Sequence, residues 1–253
     1  MVHLKGLTRL ERLDIADVLT EDADLAAISG LTSLKLLQIN SQSLTDAGLA
    51  HLNGLVEMRN LQLGPNGFTN AGLIHLAKMT RLNRLLLEDS RVTDLGPIRH
   101  LGELREIILL KVPLDDAGLA PVADLHLLER LCLYGTQVTD EGIKHLRGLT
   151  NLDNLELGRT PITGATLSEL EGLPKLTKLG LYESKITDEQ IGKLKNFPAL
   201  QTLNLHTTSI TDAGLKQLAG IKTLCAVVVK DTKVTEAGAA EFEKANPGIK
   251  VYR

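Results

Sequence analysis

A spacing of 24 residues between near-identical strings constrains this chain more than any other feature. Residues 44–55 read LTDAGLAHLNGL, residues 138–149 read VTDEGIKHLRGL, and residues 210–221 read ITDAGLKQLAGI. The second string starts 94 residues after the first, which is four periods of 24 less two. The third starts 166 residues after the first, which is seven periods of 24 less two. A fixed period of about 20–50 residues is typical of a repeat protein. The sequence therefore predicts a stack of repeats with one two-residue deletion.

Ten units follow this period, and the unit at 79–100 carries the deletion. They begin at Leu7, Leu31, Leu55, Met79, Leu101, Leu125, Leu149, Leu173, Phe197 and Ile221. Residues 1–6 match the end of a preceding repeat, and residues 246–253 read as a C-terminal capping strand. We therefore expect one domain over the 253 residues, with ten repeats at 7–245. Because the first six residues match the end of a unit, we expect either a fragment of a longer array or a naturally minimal start.

Each unit alternates a strand pattern with a helix pattern. The stretch L-x-x-L-x-L ends with period-2 alternation, as at Leu203 and Leu205, which predicts a strand. In the following T-D-x-G-L stretch, the threonine suits a helix N-cap and the aspartate places negative charge at the positive end of the helix dipole. A helix this short is unstable alone. The units are therefore expected to stack, with their strands in a parallel sheet and their helices outside.

The phrase L-x-x-L-x-L-x-x-T-x-I-T-D-x-G-L resembles the leucine-rich repeat family, over nearly the whole chain. Within that family it is similar to the 24-residue bacterial type related to the cysteine-containing subclass. The resemblance implies an α/β fold: a right-handed solenoid, or horseshoe, with a parallel β-sheet on the concave face and short helices on the convex face. The chain has Thr136, Thr160 and Thr208 where the family commonly has Asn or Cys. We expect these hydroxyls to satisfy backbone groups of the adjacent turn.

Composition argues against nucleic acids and membranes as partners. The net charge is −3, and acidic and basic residues are interspersed, so there is no basic surface for nucleic acid or an anionic membrane. Aromatic residues make up 2% of the chain and tryptophan is absent, which leaves few platforms for stacked bases. No apolar run approaches the ~20 residues of a membrane span. These two classes of partner are therefore not expected.

The two cysteines are expected to be free thiols. Cys132 and Cys225 lie about four repeats apart, and strands spaced roughly 4.8 Å would separate them by roughly 19 Å, beyond the reach of a disulfide. The N-terminus also lacks a signal-peptide pattern. Both features favour a cytoplasmic location, although many exported bacterial proteins also lack disulfides.

No residue pattern is typical of a catalytic or cofactor site. His3, His51, His75 and His145 occupy one slot of the repeat, which indicates copies of a solvated helix position rather than a metal site. The motifs CxxC, HExxH and GxxxxGK[ST] are missing from the sequence. Cys132 has no base expected near it that would activate it as a nucleophile. We expect no catalytic residue, no metal and no cofactor.

The candidate binding residues alternate with the core leucines and point to the predicted concave face. In the middle of the chain several of them are apolar. Leu86, Ile108 and Cys132 are expected to be direct neighbours, with Leu110 and Tyr134 beside them. An apolar centre with tyrosine and arginine at its margin is typical of a binding hot spot.

Charged residues flank this apolar group. Arg84, Glu106 and Arg130 alternate in sign along neighbouring strands, which is a favourable arrangement. Arg159 and Tyr182 extend the candidate set. A plainer interpretation also stands, because leucine and isoleucine suit strands and repeats drift in sequence.

The sequence predicts a non-enzymatic module that binds a partner protein on its concave face. The alternative is the substrate-recognition fragment of a larger multidomain protein, such as an effector or a ubiquitin-ligase-like enzyme. An enzyme acting alone would need a cluster of ionisable residues, which the inward-facing positions do not provide. The predicted state is a monomer or a weak end-to-end dimer formed through the first strand.

Overall fold

The computed structural model of the chain describes residues 2–15 and 20–253. The chain divides into two compact units, residues 1–128 and 129–253, and each is described by itself. The single domain expected over residues 1–253 stays a prediction. Met1, the first residue of the predicted partial repeat, lies outside the described residues.

The first unit contains five strands and short helices among its described residues. The strands are β1 (Arg12–Ile15), β2 (Leu36–Ile39), β3 (Asn60–Leu63), β4 (Arg84–Glu88) and β5 (Glu106–Leu110). The α-helices are α1 (Asp22–Leu25), α2 (Asp46–Ala50), α3 (Asn70–Leu73) and α4 (Asp116–Leu119). Turns of 3₁₀ helix cover Val2–Leu4, Ile74–Leu76, Gly96–Ile98 and Ala120–Asp124.

The second unit contains six strands and a longer final helix. The strands are β6 (Arg130–Cys132), β7 (Asn154–Glu156), β8 (Lys178–Gly180), β9 (Thr202–Asn204), β10 (Ala226–Val228) and β11 (Lys250–Tyr252). The α-helices are α5 (Asp140–Ile143), α6 (Asp188–Ile191), α7 (Asp212–Gln217) and α8 (Glu236–Ala245). Turns of 3₁₀ helix cover Lys144–Leu146, Leu167–Leu170 and Gly192–Asn196.

Within each unit the strands pair in parallel and in chain order, from β1 to β5 and from β6 to β11. Paired residues are 24 positions apart, as where Leu13 lies opposite Leu37. Between β4 and β5, Leu85 lies opposite Ile107, so the two-residue deletion falls there. The predicted fold class, a leucine-rich repeat with a parallel sheet and short helices, is confirmed.

Alternate strand residues form the core. Leu85, Leu87, Ile107 and Leu109 are 0% exposed, whereas the residues between them are partly exposed. Full burial of one such side chain contributes about 1.5–3 kcal/mol to folding. The opposite face of each strand is left open, and the candidate binding residues lie there.

The predicted helix caps are confirmed. The side chains of Thr45, Thr69 and Thr211 each accept a hydrogen bond from the backbone amide two residues ahead. Thr235 caps α8 by accepting from the amide of Gly238. The threonine of the repeated T-D-x-G string therefore has the role that its position predicts.

The aspartate of that string joins neighbouring repeats, a role that the sequence analysis did not predict. Asp188 accepts from the backbone amide of Thr211 at 2.9 Å and from its hydroxyl at 2.5 Å. Asp212 accepts the same two bonds from Thr235, both at 2.8 Å. The same connection recurs in the pairs Asp22–Thr45, Asp46–Thr69 and Asp140–Thr163. In four of these pairs the aspartate holds the cap of the next helix in place, and Asp140 holds Thr163 in the turn before Leu167–Leu170.

The glycine of T-D-x-G leaves room for this aspartate. A Cβ at Gly214 would overlap the carboxylate of Asp188, and one at Gly238 would overlap that of Asp212. A side chain at the glycine position would therefore push the carboxylate away from the threonine that it holds. The aspartate of one repeat and the glycine of the next form a coupled pair.

A pair of repeats that breaks this rule nevertheless keeps the coupling. Gly164 occupies the aspartate position, and Gln190 occupies the glycine position of the next repeat. A Cβ at Gly164 would lie 3.0 Å from the Cβ of Gln190, so the glutamine occupies the space that a carboxylate fills elsewhere. Its side-chain oxygen accepts from the amide and hydroxyl of Thr187, at 3.2 and 2.9 Å. The cap of α6 is thus satisfied from within its own repeat.

Thr136, Thr160 and Thr208, which we expect to satisfy backbone groups of the turn, make their hydrogen bonds within their own repeat. Thr136 donates to the carbonyl of Leu133 at 2.9 Å, and Thr208 donates to that of Leu205 at 2.6 Å. Thr160 makes the same bond three residues back along the chain. These buried threonines close each turn after the strand, so a threonine suits this position as well as the family's usual residue.

The chain after α8 returns to the sheet as β11. Phe242 is 2% exposed and fills the space beneath the helix. The Oε1 atom of Glu243 accepts from the amide of Val251 at 2.8 Å and pairs with the ammonium of Lys250 at 3.0 Å. Helix α8 is therefore tied to the strand that pairs with β10.

The coupling between aspartate and glycine predicts a non-additive pair of substitutions. Gly214→Ala should destabilise the protein by about 1–3 kcal/mol, because the new methyl group overlaps the carboxylate of Asp188. In the Asp188→Ala background the same change should cost about 1 kcal/mol less. Chemical denaturation of the two single variants and the double variant measures the difference. Gly148→Ala is the control, since open space surrounds that position, and strictly additive effects at 188 and 214 would contradict the coupling.

The hydrogen bonds between aspartate and threonine of neighbouring repeats also predict a dependence of stability on pH. Partial burial raises the pKa of Asp140, but hydrogen bonds from Thr163, Gly164 and Thr166 outweigh it and hold that pKa below its ordinary value of 3.8. The ionised carboxylate therefore stabilises the fold above about pH 3.8, and this contribution disappears as the pH falls through the lowered pKa.

Asp140→Asn tests this dependence, because asparagine stands in the same slot at Asn70 and bonds Thr93. We expect the variant to be about 1 kcal/mol less stable at pH 7, since solvent screens this partly exposed carboxylate. The difference should shrink as the pH falls below 3.8 and through the lowered pKa of Asp140. Wild type and variant share every other carboxylate, so a difference that stays constant with pH would rule out the assignment.

Candidate functional site

The ten candidate binding residues divide equally between the two units. The first unit contains Arg84, Leu86, Glu106, Ile108 and Leu110, and the second contains Arg130, Cys132, Tyr134, Arg159 and Tyr182. In both units they lie on the open side of the strands or in the turn that follows. They are partly or fully exposed, whereas the alternating residues are buried.

In the first unit the apolar candidates lie together. Leu86 lies opposite Ile108, and Leu110 lies opposite Glu88 on the paired strands β4 and β5. On the other side of Leu86 the paired residue is Gln62 of β3. The three aliphatic side chains, Leu86, Ile108 and Leu110, are called the aliphatic cluster below. Polar residues of the same face border it.

A charged pair adjoins the aliphatic cluster, as the alternation of charge predicts. The Nε atom of Arg84 lies 2.6 Å from the Oε2 atom of Glu106, and about a quarter of each side chain is exposed. A pair that solvent still reaches contributes little to stability. It does fix the direction of both side chains at the edge of the cluster.

In the second unit three rings form a row along the open face. The ring centroids of Tyr134 and Tyr182 are 5.8 Å apart, and those of Tyr182 and His206 are 4.7 Å apart. The neighbouring ring planes differ by 27° and 12°, so the rings are stacked. These three residues are called the ring row below.

Two glycines permit this row. Tyr134 and Tyr182 are two repeats apart, and strands spaced about 4.8 Å would put their Cα atoms about 10 Å apart. The intervening repeat has Gly158, where a Cβ would overlap the ring of Tyr182. The tyrosine therefore leans across the glycine towards Tyr134. A Cβ at Gly180 would likewise overlap the carboxylate of Glu156, so this carboxylate lies across the glycine.

Polar groups border the ring row in the turns after the strands. Tyr134 donates a long hydrogen bond of 3.4 Å from its hydroxyl to the Oε1 atom of Glu183. The guanidinium of Arg159 donates to the tyrosine oxygen, and this bond is the main cause of the raised pKa of Arg159. Both Arg159 and Glu183 have left-handed backbones, with φ of 54° and 52°.

The left-handed backbone costs free energy at each of these residues, about 1–2 kcal/mol for a residue with a Cβ. The corresponding position after β6 is Gly135, for which φ of 68° is without strain. The fold would therefore prefer glycine at 159 and 183. The same backbone recurs at Asp89, Lys111, Thr207 and Asp231 in the equivalent turns, so it belongs to the repeat and not to this site alone.

Burial shifts the pKa of two groups beside the ring row. It raises the pKa of Glu156, and the attraction of Lys178 opposes this rise only in part. Burial also raises the pKa of Tyr182, as does the negative charge of Glu156. Tyr182 therefore remains a neutral phenol at neutral pH, next to a partly dehydrated carboxylate.

The remaining candidates of the second unit lie on β6. Arg130 lies opposite Asn154, and Cys132 lies opposite Glu156. Cys132 is half-buried and Cys225 is exposed, both as free thiols.

The sequence analysis missed three residues of this face: Asn154, Glu156 and His206. A signal for them existed, because Gly158 and Gly180 interrupt positions that carry larger residues in other repeats. Small residues on an open face allow long side chains from neighbouring strands to lie across them. The ring row therefore depends on which positions lack a side chain.

The open face offers groups that suit recognition. Across residues 2–15 and 20–253, no three side chains of histidine, cysteine, aspartate or glutamate are grouped to hold a metal ion. None of the helices in these ranges combines the length and apolar composition needed to cross a bilayer. The open face offers aliphatic, aromatic and charged side chains on paired strands, which is a composition suited to recognition.

Comparison with known proteins finds similarity in structure alone. No protein-family model and no curated protein matches the chain. The crystal structure of internalin C2 from Listeria monocytogenes is 28% identical in sequence, with a TM-score of 0.64 over 83% of this chain and 84% of that chain. Internalin F from the same organism is 19% identical, with a TM-score of 0.62 over 97% of this chain and 81% of that chain.

A mammalian structure is similar at the level of the fold. The mouse RP105/MD-1 complex is 18% identical, with a TM-score of 0.64 over 89% of this chain and 39% of that chain. The similarity in structure agrees with the paired parallel strands of each unit. The chain therefore has the leucine-rich-repeat fold and is similar to bacterial internalins over most of its length.

Proposed function

We propose that this chain is a non-enzymatic interaction module that binds a partner protein through the open face of its strands. The ten candidate residues are the contacts that we assign to this partner, with the aliphatic cluster in the first unit and the ring row in the second. The partner is a protein rather than a nucleic acid or a membrane, because the net charge of −3 provides no basic surface for either.

The observation that carries this proposal is the aliphatic cluster. Leu86, Ile108 and Leu110 lie where other repeats place polar residues, such as Gln38 and Gln62, and they remain partly exposed. When a partner covers side chains of this type, the burial of their apolar surface contributes about 25 cal/mol of binding free energy for each Å² removed from water. The ion pair between Arg84 and Glu106 at the margin supplies polar contacts that select the partner.

The strands make this surface rigid before binding. The backbone of β4 and β5 is paired along five residues, and the core side chains beneath are fully buried. A surface that is already ordered loses little conformational entropy when a partner docks. The same argument applies to the ring row, where contact between the rings limits their rotation.

Structural neighbours support this role by analogy of fold. The mouse protein RP105 is seen in complex with MD-1, and the plant peptide hormone receptor RGFR1 is seen in complex with RGF2. We infer the same class of activity here, in a protein of the 24-residue bacterial type. If the chain is part of a larger protein, the same face would serve as its recognition surface. We expect a monomer, or a weak end-to-end dimer, at micromolar concentration.

A charge placed in the aliphatic cluster should abolish binding in the first unit. Ile108→Asp should reduce capture of the partner at least about tenfold, since the carboxylate would be dehydrated at the interface. Tyr134→Ala tests the ring row of the second unit in the same way. Quantitative affinity capture from a lysate of the source organism, with wild type and variants in parallel, measures the effect.

Ile74→Asp is the matched control for this experiment. Ile74 is 60% exposed in the 3₁₀ turn Ile74–Leu76, which is outside the strands. The same substitution there should leave the captured proteins unchanged. If Ile108→Asp and Tyr134→Ala also capture the same proteins in the same amounts as wild type, the open face is not the binding surface.

The strained turn residues predict opposite effects on stability and binding. Arg159→Gly should raise the melting temperature by about 2–4 °C, because glycine adopts the left-handed backbone without strain. The same change should weaken binding of the captured partner, since the side chain that borders the ring row is lost.

Asp231→Gly is the control for this pair of effects, because Asp231 has the same left-handed backbone, with φ of 54°. It should raise the melting temperature alike and leave binding intact. Differential scanning calorimetry and a binding isotherm for each variant decide the matter. Unchanged binding by Arg159→Gly would remove Arg159 from the proposed contacts.

A further inference from the structure

Two buried oxygen atoms on β7 lack hydrogen-bond partners within the described part of the chain. They are Oδ1 of Asn154 and Oε2 of Glu156. The two residues are two positions apart on one strand, so their side chains lie on the same face. Buried acceptors are normally satisfied, and an unsatisfied one calls for an explanation. Neither atom makes a hydrogen bond that holds the fold in the described residues.

The surroundings of Glu156 form a receptor on the open face. The carboxylate lies against the backbone of Gly180, where a Cβ would overlap it, and the ring of Tyr182 borders the same glycine. Cys132 lies opposite Glu156 on β6, beside Arg130, and Lys178 of β8 attracts the carboxylate. The negative charge of Glu156 acts in turn on Tyr182, which Cys132, Tyr134 and Glu183 also influence.

We propose that the oxygens of Asn154 and Glu156 receive the guanidinium group of an arginine side chain on the partner protein. This inference rests on the proposed function and specifies one contact of the second unit. The arginine would lie beside Tyr182 and donate to both oxygens.

The chemistry of the two oxygens selects a guanidinium group. Both atoms are acceptors, and one belongs to a carboxylate, so the ligand must donate N–H groups and carry positive charge. A guanidinium presents five N–H donors in a planar fork, whereas an ammonium is a compact point charge. A carboxylate or phosphate of the partner would be repelled. The planar group also suits a position against the ring of Tyr182.

The buried oxygen of Glu156 can reach such a ligand. Glu156 and Asn154 are both partly exposed as residues, although the two atoms are buried. The last torsion of a glutamate side chain is broad, so a partial rotation of the carboxyl group turns its buried oxygen towards the open face at little cost. Lys178 attracts the carboxylate without forming an ion pair with it in the described structure. The acceptor is therefore available to a donor from outside.

Protonation of Glu156 supplies an independent signature. Burial raises the pKa of this carboxyl group, and a guanidinium beside it would lower the pKa again. Binding of arginine should therefore strengthen as the pH rises through the raised pKa of the free protein and level off above it. The bound form should show a lower pKa for Glu156 than the free form.

The experiment uses N-acetyl-arginine amide as the probe and the full chain as the receptor. Two-dimensional NMR would follow the amides of Gly180 and Tyr182, and carbon detection would follow the carboxyl group of Glu156 over pH. N-acetyl-citrulline amide is the matched probe, because it has the same shape without the charge. Saturable shifts are expected with arginine, and binding at least about tenfold weaker with citrulline.

Glu156→Gln is the matched variant, and Glu189→Gln on exposed α6 is its control. Glu156→Gln removes a buried charge and should not lower the melting temperature, so weaker binding cannot come from unfolding. The variant should bind the arginine probe at least about tenfold more weakly, and the control should bind it like wild type.

Three results would overturn the inference: no saturable shift at Gly180 and Tyr182, equal binding of citrulline, or equal binding by Glu156→Gln. The proposed function fails separately. If capture of a partner depends on Ile108 and Tyr134 but the partner binds Glu156→Gln as tightly as wild type, the arginine contact is disproved and the proposed function stands.

Discussion

The hydrogen bonds from several threonine caps to the aspartate of the preceding repeat determine much of this structure. They position one helix against the next, and they require a glycine wherever a carboxylate must lie, as for Asp188 and Gly214. Backbone amide and hydroxyl donors satisfy both oxygens of the carboxylate, so the group is held in one orientation. With the helices fixed in this way, the strands keep a register of 24 residues and present their open faces in regular columns.

Much of the fold follows from the period of the sequence, because a repeated pattern specifies register as well as element type. The position of the deletion placed Leu85 opposite Ile107 correctly, and threonine before aspartate identified the helix starts. The bridging role of the aspartate was missed, because its partner lies 23 residues away and only the stacking brings them together. The sequence contains one clue to this role: where Gly164 replaces the aspartate, Gln190 replaces the glycine of the next repeat.

The two parts of the candidate site differ in how far the sequence predicts them. Leu86, Ile108 and the pair between Arg84 and Glu106 follow from register alone, since strand neighbours face each other directly. The ring row does not, because Tyr182 reaches Tyr134 by leaning across Gly158. Side-chain direction on an open face depends on what the neighbours leave empty, and a pattern of residue types does not encode that.

The substitution at Gly164 has a consequence for how the second unit opens. With the bridge from residue 164 replaced by a bond inside the next repeat, Thr187 is held by Gln190 alone. Lys193 donates across this joint to the carbonyls of Gly164 and Ala165, but the repeats on either side keep carboxylate bridges, from Asp140 to Thr163 and from Asp188 to Thr211. Amide hydrogens near the joint should therefore exchange with solvent sooner than those of its neighbours, which would make it the seam along which the unit first comes apart.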